Sequence, residues 1–79
     1  MRLDKFLKVS RIIKRRTVAN EACDAGRVIV NGKSARASYD VKIGDIIEIS
    51  FGSREFKAKV LNVCETVKKD DADLMYSIL

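Results

Sequence analysis

The sequence contains no histidine, no tryptophan and no proline, and only two cysteines, Cys23 and Cys64. Without histidine, neither a Ser-His-Asp nor a Cys-His catalytic arrangement can be assembled, and cysteines so far apart match no zinc, CxxC or haem-attachment spacing. Aromatic residues are scarce, three Phe and two Tyr, and they form no set resembling the stacking platform of an RNA-recognition sheet. Apolar runs extend only a few residues, and no basic start is followed by an apolar h-region. A membrane span and a secretion signal are therefore not expected, and a soluble cytoplasmic protein is. No stretch rich in Gly or Ser, no repeat and no low-complexity segment marks a linker. Residues 1–79 are expected to fold as a single domain, which at this size hides only about 60% of its unfolded surface and leaves little room for a deep substrate chamber.

What the sequence has is lysine and arginine, unevenly placed. Residues 1–30 carry eight cations against three carboxylates, whereas residues 31–79 carry eight of each, so the whole net charge of +5 lies in the first part of the chain. A potential concentrated in this way attracts a polyanion far better than mixed charge spread over a surface. RNA, DNA and anionic lipid are the candidate partners.

Hydrophobic spacing predicts an α+β fold. Over residues 2–9, Leu3, Phe6 and Leu7 follow i, i+3, i+4 spacing, with Asp4, Lys5 and Lys8 on the opposite arc. Over residues 17–25, Val18, Ala19, Ala22, Cys23 and Ala25 share a face opposite Asn20, Glu21 and Asp24, and Gly26 follows as the residue of positive φ that ends a helix. Thr17 is one candidate N-cap of this second helix; a position one or two residues earlier is the other. The composition then turns β-branched. Val28-Ile29-Val30, Asn31-Gly32 and Lys33-Ser34-Ala35 read as a tight hairpin, because a type I′ turn needs positive φ at both central residues. Ile43-Gly44-Asp45 and Gly52-Ser53 are turns flanking the strand 46–51, and Phe56, Ala58 and Val60 alternate with Lys57 and Lys59 in a further strand that extends toward Val63. Asp70-Asp71-Ala72 is expected to open a short C-terminal helix with Leu74, Met75 and Ile78 on its apolar stripe. The expected architecture is two N-terminal helices packed on a small antiparallel sheet, followed by that helix.

Between the first two helices lies Ser10-Arg11-Ile12-Ile13-Lys14-Arg15-Arg16-Thr17, half of it cationic. It enters a helix whose N-terminal N–H groups also favour anions, and Ile12 and Ile13 can anchor it in the core, so the cations would be preordered. Arginine predominates here, and its planar fork contacts phosphate bidentately or stacks on a base. Arg27 and Lys33 flank the hairpin turn and could admit a phosphate, although plain turn chemistry accounts for them equally. Phe6, Phe51 and Phe56 are expected in the core, Cys23 and Cys64 as small core hydrophobes, and Tyr39 at a wet edge. Asp70, Asp71 and Asp73 complement a helix dipole more simply than they bind metal; no metal site, cofactor or catalytic residue is assigned. An enzyme would need paired carboxylates, an activated nucleophile or a cofactor loop, and none is visible. Asn20, Glu21 and Asp24 on the outer face of the second helix would repel a DNA duplex, and the first helix is too short for a membrane anchor. RNA is the favoured partner.

The stretch Arg2-Leu3-Asp4-Lys5-Phe6-Leu7, the basic turn ending at Arg16, the Ala-rich helix and Gly26-Arg27-Val28-Ile29-Val30-Asn31-Gly32-Lys33 together resemble the S4 RNA-binding domain, also called the αL motif. Many proteins carry that module beside a catalytic domain, as pseudouridine synthases and tyrosyl-tRNA synthetases do; here it is essentially the entire chain. The short chain is similar to the stand-alone bacterial S4 proteins of the RqcP group, relatives of the heat-shock S4 protein. The resemblance implies a non-catalytic, ribosome-associated monomer. It implies binding to ribosomal RNA of the large subunit and to peptidyl-tRNA on stalled, split ribosomes. There a quality-control partner protein would deliver alanyl-tRNA for template-free alanine tailing; a generic S4 module for other structured RNA, or an accessory to an RNA-modifying enzyme, is the alternative. The family touches RNA through its first helix, the turn and the start of its second helix. That points to Arg2, Lys5, Arg11, Lys14, Arg15 and Arg16, with Arg27 and Lys33 as a second edge. One departure is Arg15, where many S4 domains have Ser or Thr just before the Arg that opens the second helix.

Overall fold

The computed structural model describes residues 1–63 and 75–79. Leu3, Phe6 and Leu7 form one apolar stripe, and the chain coils at Leu3–Val9 (α1) to bury all three completely. No side chain caps the start of α1. Instead the N–H groups of Leu3 and Asp4 donate to the carbonyls of Tyr39 and Ala37 (2.8 and 3.2 Å), so the loop after the hairpin supplies the cap. The second helix, α2 (Arg16–Asp24), turns Ala19 and Cys23 into the core. It ends in a Schellman motif: Gly26 sits at φ 79°, its N–H donating to Cys23 O and that of Arg27 to Ala22 O, both at 3.0 Å. Its N-cap is Arg15, the earlier of the expected positions, and Thr17 lies inside the first turn.

Strands β1 (Val28–Val30) and β2 (Lys33–Ser34) form the expected hairpin, with Asn31 and Gly32 both at positive φ (53° and 84°) and Val30 opposite Lys33. With β3 (Ile46–Phe51), β4 (Arg54–Val60) and β5 (Tyr76–Ile78) they make a five-stranded antiparallel sheet of order β2-β1-β3-β4-β5. Val28, Val30, Ile47, Ile49 and Val60 face the helices and complete the core with Met75.

The structure corrects several expectations. Tyr76–Ile78 is a strand rather than the end of a helix: β4 presents an open edge, and Val60 opposite Tyr76 and Ala58 opposite Ile78 close it. Phe56 and Tyr76 meet edge-to-face with ring centroids 6.0 Å apart, a cross-strand contact that a three-residue apolar pattern does not disclose. Met75 is buried as expected; the remainder of that proposed helix, including Leu74 and the three nearby acids, and Cys64 lie outside the described residues. Strand β4 stops at Val60, leaving Leu61 exposed. Phe51 is 47% exposed, and Val18 and Ala25 are exposed too; the three line one cleft between α2 and the end of β3. Asp4, expected on the wet arc of α1, is 2% exposed.

Candidate nucleic-acid interface

The basic turn is ordered by what surrounds it. Helix α1 is closed at Ser10, which is fully buried, and the next residue, Arg11, adopts the left-handed conformation at φ 65°. Its N–H donates to Lys8 O (3.1 Å), and that of Ile13 donates to Leu7 O (3.0 Å). Ile13 is buried and Ile12 packs against the core, so the anchoring expected of them is present. Arg11, Lys14, Arg15 and Arg16 are thereby held exposed on a fixed backbone. Among the described residues, Arg11, Lys14 and Arg15 enter no ion pair. The first turn of α2 has no acidic residue, and Arg15 gives it no side-chain cap. Cations crowd the positive end of a helix dipole, the reverse of the stabilising arrangement, and an anion placed there would relieve both terms.

Arg2 and Arg16 are arranged differently. Both reach the buried Asp4 carboxylate, which accepts from Arg2 Nε at 3.2 Å and Nη2 at 3.4 Å, from Asn20 Nδ2 at 3.1 Å and from the Lys5 N–H at 2.8 Å. Arg16 Nε lies 3.5 Å from its Oδ2. Burial pushes the Asp4 carboxyl upward, but the donors from Asn20, Arg2 and Lys5 and the charge of Arg16 outweigh it and hold the group below the usual carboxylate range. Lys5 itself is half-buried on α1. One carboxylate therefore ties the start of α1 to the start of α2.

The two hairpin residues line different clefts. Lys33 shares a cleft with Asn31, Ser34, Arg36 and Tyr39, whereas Arg27 lines a different one, with Ile13, Val18 and Phe51. Arg36 was not among the expected residues, yet it also lines a third cleft with Arg2, Asn20, Asp24 and Ser38, and so connects Arg2 to Lys33. Its only sign in the sequence is one cation in the balanced part of the chain, which nothing local distinguishes from Lys42.

Below the hairpin, Asp45 accepts from Tyr39 Oη (2.9 Å), Asn31 Nδ2 (3.0 Å) and the Lys42 N–H (3.0 Å), and Asn31 Oδ1 accepts from the Ile46 N–H (2.9 Å). The hydroxyl of Tyr39, a partly exposed residue that lines the hairpin cleft, is thus engaged by a carboxylate of the fold. Burial raises the Asp45 carboxyl, and these donors together bring it below its ordinary value. Cys23 is buried, and burial, with the Asp4 and Asp24 carboxylates, pushes its thiol up to about 11. A neutral buried thiol is a core hydrophobe, as expected. Among the described residues, no group of acidic or thiol side chains is arranged to hold a metal, and no helix is long and apolar enough to cross a membrane.

Comparison with known proteins places this geometry. The S4 domain family model matches residues 1–47. The chain is 56% identical over 79 residues to a Streptococcus pneumoniae protein named RQC P-site tRNA stabilizing factor, spanning 100% of this chain and 90% of that one. It is 53% identical to the Bacillus subtilis protein of the same name, covering 100% and 92%. Among solved structures, Vibrio cholerae Heat Shock Protein 15, described as a trimer, superimposes with a TM-score of 0.91 at 29% identity, covering 100% of this chain and 81% of that one.

Proposed function

We propose an RNA-binding function from one premise: the chain belongs to the S4 domain family. In this reading it is a non-catalytic factor of ribosome-associated quality control. It binds ribosomal RNA of the large subunit and the peptidyl-tRNA left there after a stalled ribosome splits, and holds that tRNA in the P site while a partner protein delivers alanyl-tRNA for alanine tailing. It acts in the cytoplasm on the ribosome, as a single copy. The contacts assigned are Arg2, Lys5, Arg11, Lys14, Arg15 and Arg16 on the helix-turn-helix face, with Arg27 and Lys33 beyond it; Arg36 joins them through the cleft it shares with Arg2.

One observation carries this reading. Arg11, Lys14 and Arg15 are exposed, backbone-ordered and without an ion-pair partner among the described residues, at a helix start whose dipole also favours anions. A surface charge that merely aids solubility does not require a backbone pinned by two isoleucines and a left-handed arginine. Relatives named for stabilizing P-site tRNA supply the RNA and its setting.

The test is sedimentation of tagged protein in lysate through sucrose gradients at low and moderate salt, beside an Arg11→Ala/Arg16→Ala variant. Wild type is expected with free large subunits that carry peptidyl-tRNA, and the variant at the top. Wild type remaining at the top, or peaking with small subunits or free RNA, discards the stalled-subunit role and leaves a generic RNA-binding module.

A further inference from the structure

We infer that Asp4, an acidic residue inside a basic surface, is a positioning residue for RNA: its buried carboxylate holds Arg2 and Arg16 so that their remaining guanidinium nitrogens face phosphate. The inference rests on the RNA-binding reading above and adds a residue of the opposite charge to it.

The geometry is specific. Arg2 spends Nε and Nη2 on the two carboxylate oxygens, which leaves Nη1 outside those bonds, and Arg16 is paired with the same carboxylate by charge, its Nε 3.5 Å from Oδ2. Both arginine side chains remain about half exposed, at 51% and 48%, whereas that of Asp4 is at 3%. The anchor is therefore hidden and the forks are presented. A free arginine loses considerable rotamer entropy when it engages phosphate, and a fork fixed beforehand loses less. Asn20 and the Lys5 N–H hold the carboxylate from two further directions, so the anchor does not swing with the arginines. Asp4 also bridges α1 and α2, and its own N–H is fixed by Ala37 O, so the two arginines keep one spacing.

The consequence has the opposite sign from simple charge counting. Removing a carboxylate from a cationic surface should strengthen binding to a polyanion; here Asp4→Asn is expected to weaken it, by about tenfold, the scale of a charge-assisted contact. The measurement is the affinity of purified protein for large ribosomal subunits carrying P-site tRNA, for Asp4→Asn in two backgrounds, wild type and Arg2→Ala/Arg16→Ala. Loss in the first background with equal or tighter binding in the second supports the positioning role, because a merely structural defect weakens both alike. Unchanged or tighter binding in the wild-type background, or the same loss in both, overturns it. Absence of binding by the wild type overturns the RNA-binding reading and this inference with it.

A second variant, Arg16→Lys, leaves every charge and the Asp4 cluster's other donors in place but removes the fork. It is expected to bind several-fold more weakly than wild type, and affinity equal to wild type overturns the inference even where Asp4→Asn does not fold. In the free wild-type protein, the Arg2 Nε–H resonance should be distinct and slow to exchange with solvent. An averaged, fast-exchanging resonance would show that the carboxylate does not hold this fork and overturn the inference.

Discussion

At the scale of single residues, the two that say most are Arg11 and Asp4, and neither conforms to its local rule. Left-handed backbone at a helix C-terminus calls for glycine or asparagine, as Gly26 illustrates at the end of α2, yet Arg11 occupies it at φ 65°. Arg11→Gly should therefore stabilise the fold by up to about 1 kcal/mol in urea titrations while weakening affinity for large subunits; a variant gaining in both would remove Arg11 from the interface. Asp4 and Asp45 are both held below their ordinary carboxylate range in the fold. Between the folded and unfolded values the unfolded chain binds more protons, so these groups stabilise the protein above the unfolded value of about 3.9 and lose that contribution as pH falls through the folded one. The urea midpoint should be level from pH 7 to 5 and decline below about pH 4, and the decline should be shallower in Asp45→Asn than in wild type.

At the scale of elements, legibility followed how local the determining interaction is. The Asn31-Gly32 turn and the glycine end of α2 were readable because positive φ selects a residue type without reference to the rest of the chain. The start of α1 was not readable as a cap, since its donors are satisfied by carbonyls of Tyr39 and Ala37, more than thirty residues away. Strand β5 reads as helix from sequence because the edge of β4 decides it, and a few apolar residues fit either period. The basic turn depends on an element-level anchor, Ile13, which is 6% exposed. Ile13→Ala should cost about 2–4 kcal/mol in chemical denaturation and, in the fraction still folded at low temperature, weaken RNA binding although no charge is altered; unchanged affinity would mean that the turn does not need its anchor to bind.

At the scale of the whole molecule, charge and core are segregated. Residues 1–30, with both helices and the basic turn, carry the whole net charge, and residues 31–79, which supply most of the sheet, carry equal numbers of cations and carboxylates. If about four phosphates are engaged, the log–log slope of affinity against salt should be roughly −3 to −4, and Arg15→Ala should reduce its magnitude by about one. A shallow slope for wild type would place the binding surface elsewhere.

By itself the sequence determined the class of the fold, the hairpin, both helices and the concentration of positive charge ahead of the sheet, because spacing, turn chemistry and net charge act over short stretches or by simple sum. Only the tertiary structure decided how those charges are used. It withdrew Asp4 from the wet face of α1 and set it between Arg2, Arg16 and Asn20. It set Arg36 in one cleft with Arg2 and in another with Lys33, and Arg27 in a third. The physical reason is burial: a carboxylate leaves water only when donors converge on it, and that convergence comes from two helices whose meeting no local pattern encodes.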